Sequence, residues 1–154
     1  MEWTDVMSNP ILKDLPFKIE LNQFGKILMS PASNHHGRTQ MHIGYRLMNA
    51  LTTGEVIAEC SIQTDKGVKV ADVVWASADF IAQFAYETPY PKAPEICIEI
   101  ISPSNSKAEM TEKIALYLAK GALEVWMVDK NGKIQTFNKT GEIEKSRLAT
   151  NVQD

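Results

Sequence analysis

Residues 94–104, Pro-Glu-Ile-Cys-Ile-Glu-Ile-Ile-Ser-Pro-Ser, constrain this chain more than any other stretch. Ile96, Cys97, Ile98, Ile100 and Ile101 make a run that is apolar on both faces, the pattern of a central strand covered from both sides. One carboxylate, Glu99, stands in its middle. An ionised carboxylate buried alone is strongly unfavourable, so Glu99 needs an ion-pair partner, a proton, a metal or water at the strand end. On this strand alone, a structural ion pair and a functional site account for Glu99 equally well. The residues that follow favour function. Ser102-Pro103-Ser104-Asn105 breaks the strand, and Ser106 with Glu109 has the spacing of a capping box that opens a helix. Glu99 is thus placed near the carboxyl end of a central strand, where open α/β sheets gather their sites.

The length of 154 residues suits one domain over 1–154. It divides into an N-terminal arm (1–16), a core (17–137) and a C-terminal hairpin and tail (138–154). The first residues lack the basic and apolar regions of a signal peptide, and no apolar run approaches a membrane span, so the expected location is cytoplasmic. Cys60 and Cys97 both fall in expected strands, without zinc-ligand spacing or a disulfide framework. The net charge of −3 gives no global attraction to nucleic acid. Residues 107–147 nevertheless hold eight Lys/Arg against six Asp/Glu, which permits a local basic face.

In chain order, Phe17–Leu21 and Lys26–Met29 read as a hairpin around Asn22-Gln-Phe-Gly25. A helix follows from His35 to about Thr53, with Met41, Tyr45, Met48 and Leu51 as its apolar stripe and Gly54 as its terminator. It carries Arg38 and Arg46 but no acid, and capping or packing suits His35 and His36 better than metal ligation. Val56–Ile62 and Val68–Trp75 are strands joined by a turn, Ser77 caps a short helix to Ala85, and Tyr86 and Tyr90 read as packing aromatics rather than base-stacking ones. Lys107–Lys120 is a second long helix whose apolar stripe is Met110, Ile114, Tyr117 and Leu118, with Lys113 on its border. Glu124–Val128 is a strand, and Lys133–Phe137 with Ile143–Leu148 form a final hairpin.

Asp72, among Val70, Ala71, Val73 and Val74, repeats the Glu99 anomaly on a neighbouring strand, and Glu59 is a weaker third case. Two carboxylates on adjacent strands and a lysine at a helix edge suit a hard divalent cation, which takes oxygen ligands and assists phosphodiester hydrolysis. No Ser-His-Asp or Cys-His nucleophile is evident.

The ordered set Ala-Asp72-Val-Val, Ile-Glu99-Ile-Ile-Ser-Pro-Ser104, Glu112-Lys113-Ile-Ala-Leu-Tyr117, Gly121 and Val125-Trp-Met-Val-Asp129 resembles the Uma-type restriction endonuclease family, of the PD-(D/E)xK superfamily. Gly25-Lys-Ile-Leu-Met-Ser-Pro31 followed by His35 or His36 extends the likeness over residues 20–137. The resemblance implies an α/β restriction-endonuclease-like core of helix, three strands, helix and strand: a mixed central β-sheet flanked by helices, with N- and C-terminal β-hairpins. It implies Mg²⁺ or Mn²⁺ held by Asp72, Glu99 and the backbone carbonyl of Ile100, with DNA as the substrate. Lys113 takes the place of the superfamily lysine, whose usual position holds Ile101, and Glu59 is a possible auxiliary acid. Ala71 stands where the superfamily has proline. A homodimer follows by analogy, because cutting both strands calls for two sites. Two other readings compete with the nuclease: a non-catalytic phosphate-binding module built on the helix N-terminus at Ser104–Ser106, and an interaction protein on a nuclease-like fold.

Overall fold

A computed structural model describes residues 1–152; Gln153 and Asp154, the end of the expected C-terminal tail, lie outside the described residues. Two fully buried strands organise it. β5 (Ile96–Ile100) and β6 (Glu124–Val128) are buried along their whole length and pair in parallel at the centre of one sheet. β3 (Glu55–Thr64) and β4 (Gly67–Ala76) extend that sheet on one side, and β7 (Ile134–Asn138) with β8 (Gly141–Ile143) on the other. The order is β3-β4-β5-β6-β7-β8, and every neighbouring pair except β5·β6 is antiparallel.

The sheet is covered on both faces, as the two-sided apolar runs require. Val74, Cys97, Val125 and Met127 face α4 (Lys107–Ala119) and α3 (Ala78–Phe84) through Met110, Tyr117 and Phe80. Val73, Ile96, Ile98 and Trp126 face α2 (Asn34–Ala50) through Ile43 and Leu47. Both α3 and α4 begin where their caps dictate: Ser77 Oγ accepts from Phe80 N–H, and Ser106 with Glu109 forms the full capping box. The helix, three strands, helix and strand expected for the core are α2, β3, β4, β5, α4 and β6, with α3 inserted before β5.

The N-terminal hairpin, β1 (Phe17–Leu21) with β2 (Ile27–Pro31), forms its own two-stranded sheet, preceded by α1 (Trp3–Ser8). Leu21 packs with Trp3, Val6, Val68 and Val70, which seats the hairpin over β4. Gly67 allows that approach. It has φ +89°, and a side chain there would lie 2.3 Å from the carbonyl oxygen of Leu21.

Three expectations are corrected. Met41, Tyr45 and Met48 do not form the buried face of α2; they are 72%, 69% and 57% exposed, while Thr39, Ile43, Gly44 and Leu47 are buried. The two stripes lie roughly opposite each other at about 100° per residue, and the packing of Ile43 and Leu47 against Val73, Ile96, Ile98 and Trp126 of the sheet selects the second. Second, α2 stops at Ala50, and Gly54, with φ +75°, lies in the bend just before β3, where a side chain would come within 2.4 Å of the carbonyl oxygen of Ala76, rather than ending the helix. Third, the strand expected at Ile143–Leu148 is confined to Gly141–Ile143. Residues beyond it turn inward because Glu124, buried at the start of β6, accepts from Ser146 Oγ at 2.7 Å and from the N–H groups of Arg147 and Leu148 at 2.7 and 3.3 Å. Of the two tyrosines, Tyr90 packs edge-on to Phe80, and exposed Tyr86 donates to Glu55.

Candidate active site

The register that pairs Val73 with Ile98 carries Asp72 and Glu99 to adjacent places on the face that meets α4. β4 and β5 part there, and Asp72 Oδ2 accepts from the N–H of Ile100 at 2.7 Å. One oxygen of Glu99, Oε1, accepts from Tyr117 Oη at 2.7 Å and Lys113 Nζ at 3.1 Å. Those two residues are one turn apart on α4, so a single helix face supplies both donors.

The N-terminal hairpin closes the site from the other side. Lys18 and Glu20 alternate along β1 and so share a face. Lys18 Nζ lies 2.9 Å from Asp72 Oδ1 and 3.1 Å from Glu99 Oε2. Glu20 Oε1 accepts from Lys113 Nζ at 2.9 Å and from the N–H of Val70 at 2.8 Å. His36 enters from the first turn of α2, with Nε2 3.3 Å from Asp72 Oδ2. The Ser33 cap, whose Oγ accepts from His36 N–H, fixes that turn.

Glu20, Asp72 and Glu99 are all buried, and they ionise differently. Burial opposes the charge on Asp72, but the hydrogen bond from His36, the ammonium of Lys18 and the Ile100 N–H outweigh it and hold the carboxyl well below its ordinary value. Burial likewise opposes the charge on Glu20, and Lys113 and Lys18 overcome it, so its pKa is lowered. At Glu99 burial prevails over Lys113 and Lys18, with Asp72 and Glu20 adding repulsion, and the pKa is raised. Lys18 is held charged: burial works against it, but Glu99, Asp72 and Glu20 more than compensate. The hydrogen bond with Asp72 raises the pKa of His36 despite partial burial. Two buried carboxylates whose environments push them in opposite directions are the arrangement enzymes use to divide roles between acids.

The site opens into a groove of about 830 Å³ bordered by Lys18, His36, Asp72, Glu99 and Lys113. Residues 11–152 match the Uma2 family, described as "Putative restriction endonuclease". The chain belongs to that family. Its fold is similar to the crystal structure of a nuclease, titled putative and assigned to the DUF820 group, from Anabaena variabilis ATCC 29413. That likeness has a TM-score of 0.69 at 17% identity and covers 85% of this chain and 83% of the other. No curated protein matches the chain.

Within this Uma2-family fold, Asp72, Glu99 and Lys113 meet in one place. Glu59 does not join them. Its backbone is left-handed, with φ +52°, it has no partner in the β3·β4 register, and its side chain is exposed. Gln40 bridges the gap, donating to Glu59 Oε1 at 2.8 Å and to the carbonyl of Asp72 at 2.7 Å. Ile101, in the superfamily's lysine position, packs against the core below α4. Lys18, Glu20 and Gln40 escape a reading of the sequence, His36 enters it only as a capping or packing residue and through the family likeness, and Tyr117 passes for packing. The Lys-Ile-Glu alternation in β1 was the one local signal for the first two.

The donor chemistry fits a hard divalent ion as a two-carboxylate set. Asp72 Oδ1 and Glu99 Oε2 have no partner but Lys18 among the described residues, and both point at its one cation. No group of three or more His, Cys, Asp or Glu suited to a metal occurs among the described residues. Any further ligands would come from backbone carbonyl, water or substrate, which is usual for Mg²⁺.

Proposed function

We propose that this chain is a Mg²⁺- or Mn²⁺-dependent endonuclease that hydrolyses phosphodiester bonds in DNA. The observation that carries the reading is the convergence of Asp72 Oδ1 and Glu99 Oε2 on one cation position beside Lys113, at the floor of an open groove. Membership of a family described as "Putative restriction endonuclease" supports the choice of substrate. Asp72 and Glu99, with the carbonyl of Ile100, would hold the ion. When bound, such an ion acidifies a water and stabilises charge on the phosphoryl group.

The chain's own residues do the rest. Tyr117 fixes the Glu99 carboxylate by one oxygen and leaves the other free for a cation. Lys113, held by Glu20 and Glu99, presents a fixed positive charge for the developing phosphoryl charge. His36 and the Ile100 N–H hold Asp72 ionised and oriented. Glu59 stands outside the cluster, at the rim of the groove and linked to Asp72 only through Gln40, and from there would serve as an auxiliary acid. A two-fold dimer would supply a second site for the second strand.

A phosphate-binding module at Ser104–Ser106 is disfavoured by the loop itself. Glu109 accepts from the N–H of Ser106, and Asn105 Oδ1 accepts from the N–H and hydroxyl of Ser102, so an acid already covers the helix start. The reading as a nuclease fold kept for interaction draws on Lys18, which pairs both acids without a metal. Plasmid cleavage in Mg²⁺ or Mn²⁺ separates the two. Wild type is expected to nick or linearise DNA only with metal, and Glu99→Gln to be inactive at equal fold content; cleavage by Glu99→Gln equal to wild type would end the proposal.

A further inference from the structure

Lys18 has no part in the scheme above, although it is the residue that touches both acids. Its position is defined by what the other oxygens are doing. Asp72 Oδ2 is committed to the Ile100 N–H and His36, and Glu99 Oε1 to Tyr117 and Lys113. Asp72 Oδ1 and Glu99 Oε2 are left, and Lys18 Nζ sits 2.9 and 3.1 Å from them. A metal held by both carboxylates would take these same two oxygens. Mg²⁺ would bind them about 1 Å closer than the ammonium does, and one space cannot hold both cations.

We infer that Lys18 is a resident competitor of the metal: it neutralises the acid pair in the free protein and must withdraw for a divalent ion to enter. The inference rests on the metal site proposed above. Lys18 can withdraw because its ammonium sits at the end of a long flexible side chain that is 14% exposed and borders the groove, on a strand whose backbone ladder runs only to β2 and not into the six-stranded sheet. Once displaced, the ammonium faces the groove where a substrate phosphate would lie. The free site thus avoids two unpaired buried carboxylates, and metal entry releases a positive charge toward the incoming anion.

Calorimetric titration of Mn²⁺ into wild type, Lys18→Met and Asp72→Asn tests this. Lys18→Met is expected to bind at least tenfold more tightly than wild type, and Asp72→Asn to lose binding. Affinity unchanged or weaker in Lys18→Met, with Asp72→Asn still deficient, overturns the competition and leaves the metal site standing. Binding absent from both wild type and Lys18→Met overturns the two together. Wild-type protein gives a check independent of how the variant folds. Acetylation of Lys18, followed by mass spectrometry of its peptide, should accelerate severalfold when Mg²⁺ is added, with exposed Lys66 as the internal reference. A Lys18 rate that is unchanged or slowed by Mg²⁺ refutes displacement.

Discussion

Tyr117 and Lys113 donate to the same oxygen of Glu99, at 2.7 and 3.1 Å, from positions one turn apart on α4. This relationship divides the Glu99 carboxylate into a fixed half and a half open to a cation. The second oxygen, Oε2, meets only the displaceable ammonium of Lys18, whereas a carboxylate with neither oxygen fixed would lose its orientation.

Tyr117→Phe removes the fully buried hydroxyl and keeps the ring. The lost hydrogen bond to a charged acceptor should lower stability by about 1.5–3 kcal/mol. Loosening the oriented ligand should weaken Mn²⁺ binding by roughly tenfold or more. Urea unfolding and calorimetry give the two numbers, and a variant with wild-type metal affinity would confine Tyr117 to packing.

Lys113→Met should lower single-turnover cleavage by about two orders of magnitude or more. The structure adds a stability cost, since Lys113 pairs with both Glu20 and Glu99 in a part-buried setting. Breaking such a network by removing one partner costs about 3–5 kcal/mol, so cleavage must be read below the variant's lowered melting point. Undiminished cleavage there would leave Lys113 a purely structural cation.

Glu20 gives the protein a pH signature. Its pKa is lowered in the fold, so it contributes stability above the ordinary glutamate range, near about 4.3, and that contribution disappears as pH falls through the depressed folded value. Glu20→Gln should therefore be less stable than wild type at pH 7, and the gap should close in acid. Denaturation series at several pH values in metal-free buffer test this, and a gap that widens in acid contradicts the assignment.

Glu124 is a buried acid with a different task. It accepts from Trp126 Nε1 at 2.9 Å as well as from Ser146, Arg147 and Leu148, all neutral donors. Glu124→Ala should destabilise the fold by about 3 kcal/mol or more, because buried donors lose their acceptor, while cleavage per folded molecule stays at the wild-type rate. A specific loss of turnover would move Glu124 into the site.

What could be read from the sequence was the part encoded locally. Asp72 and Glu99 announced themselves as charges inside β-branched runs, and the capping residues Ser77 and Ser106 marked where helices start. Lys18 and Glu20, and the contact of His36 with Asp72, were hidden because an exposed-looking hairpin and helix start reach the acids only through tertiary packing. Helix α2 was turned the wrong way for a related reason: Met41 and Tyr45 are as apolar as Ile43 and Leu47, and only contact with the sheet selects one stripe. Glu59 looked like a third embedded acid because periodicity does not reveal a left-handed backbone.

The seating of β1 over the β3–β4 turn also sets an order of events. Lys18 waits 54 residues for Asp72 and 81 for Glu99, and Glu20 waits 93 for Lys113. Contacts of such long range form late, after local turns and helices have shortened the chain between them. The charges made first during synthesis are therefore the last to find partners, and the acid pair gains its counter-charge only when the hairpin docks. A substitution at Gly67, remote from the chemistry, should then show itself as slow arrival of an active molecule rather than as altered turnover in one that has formed.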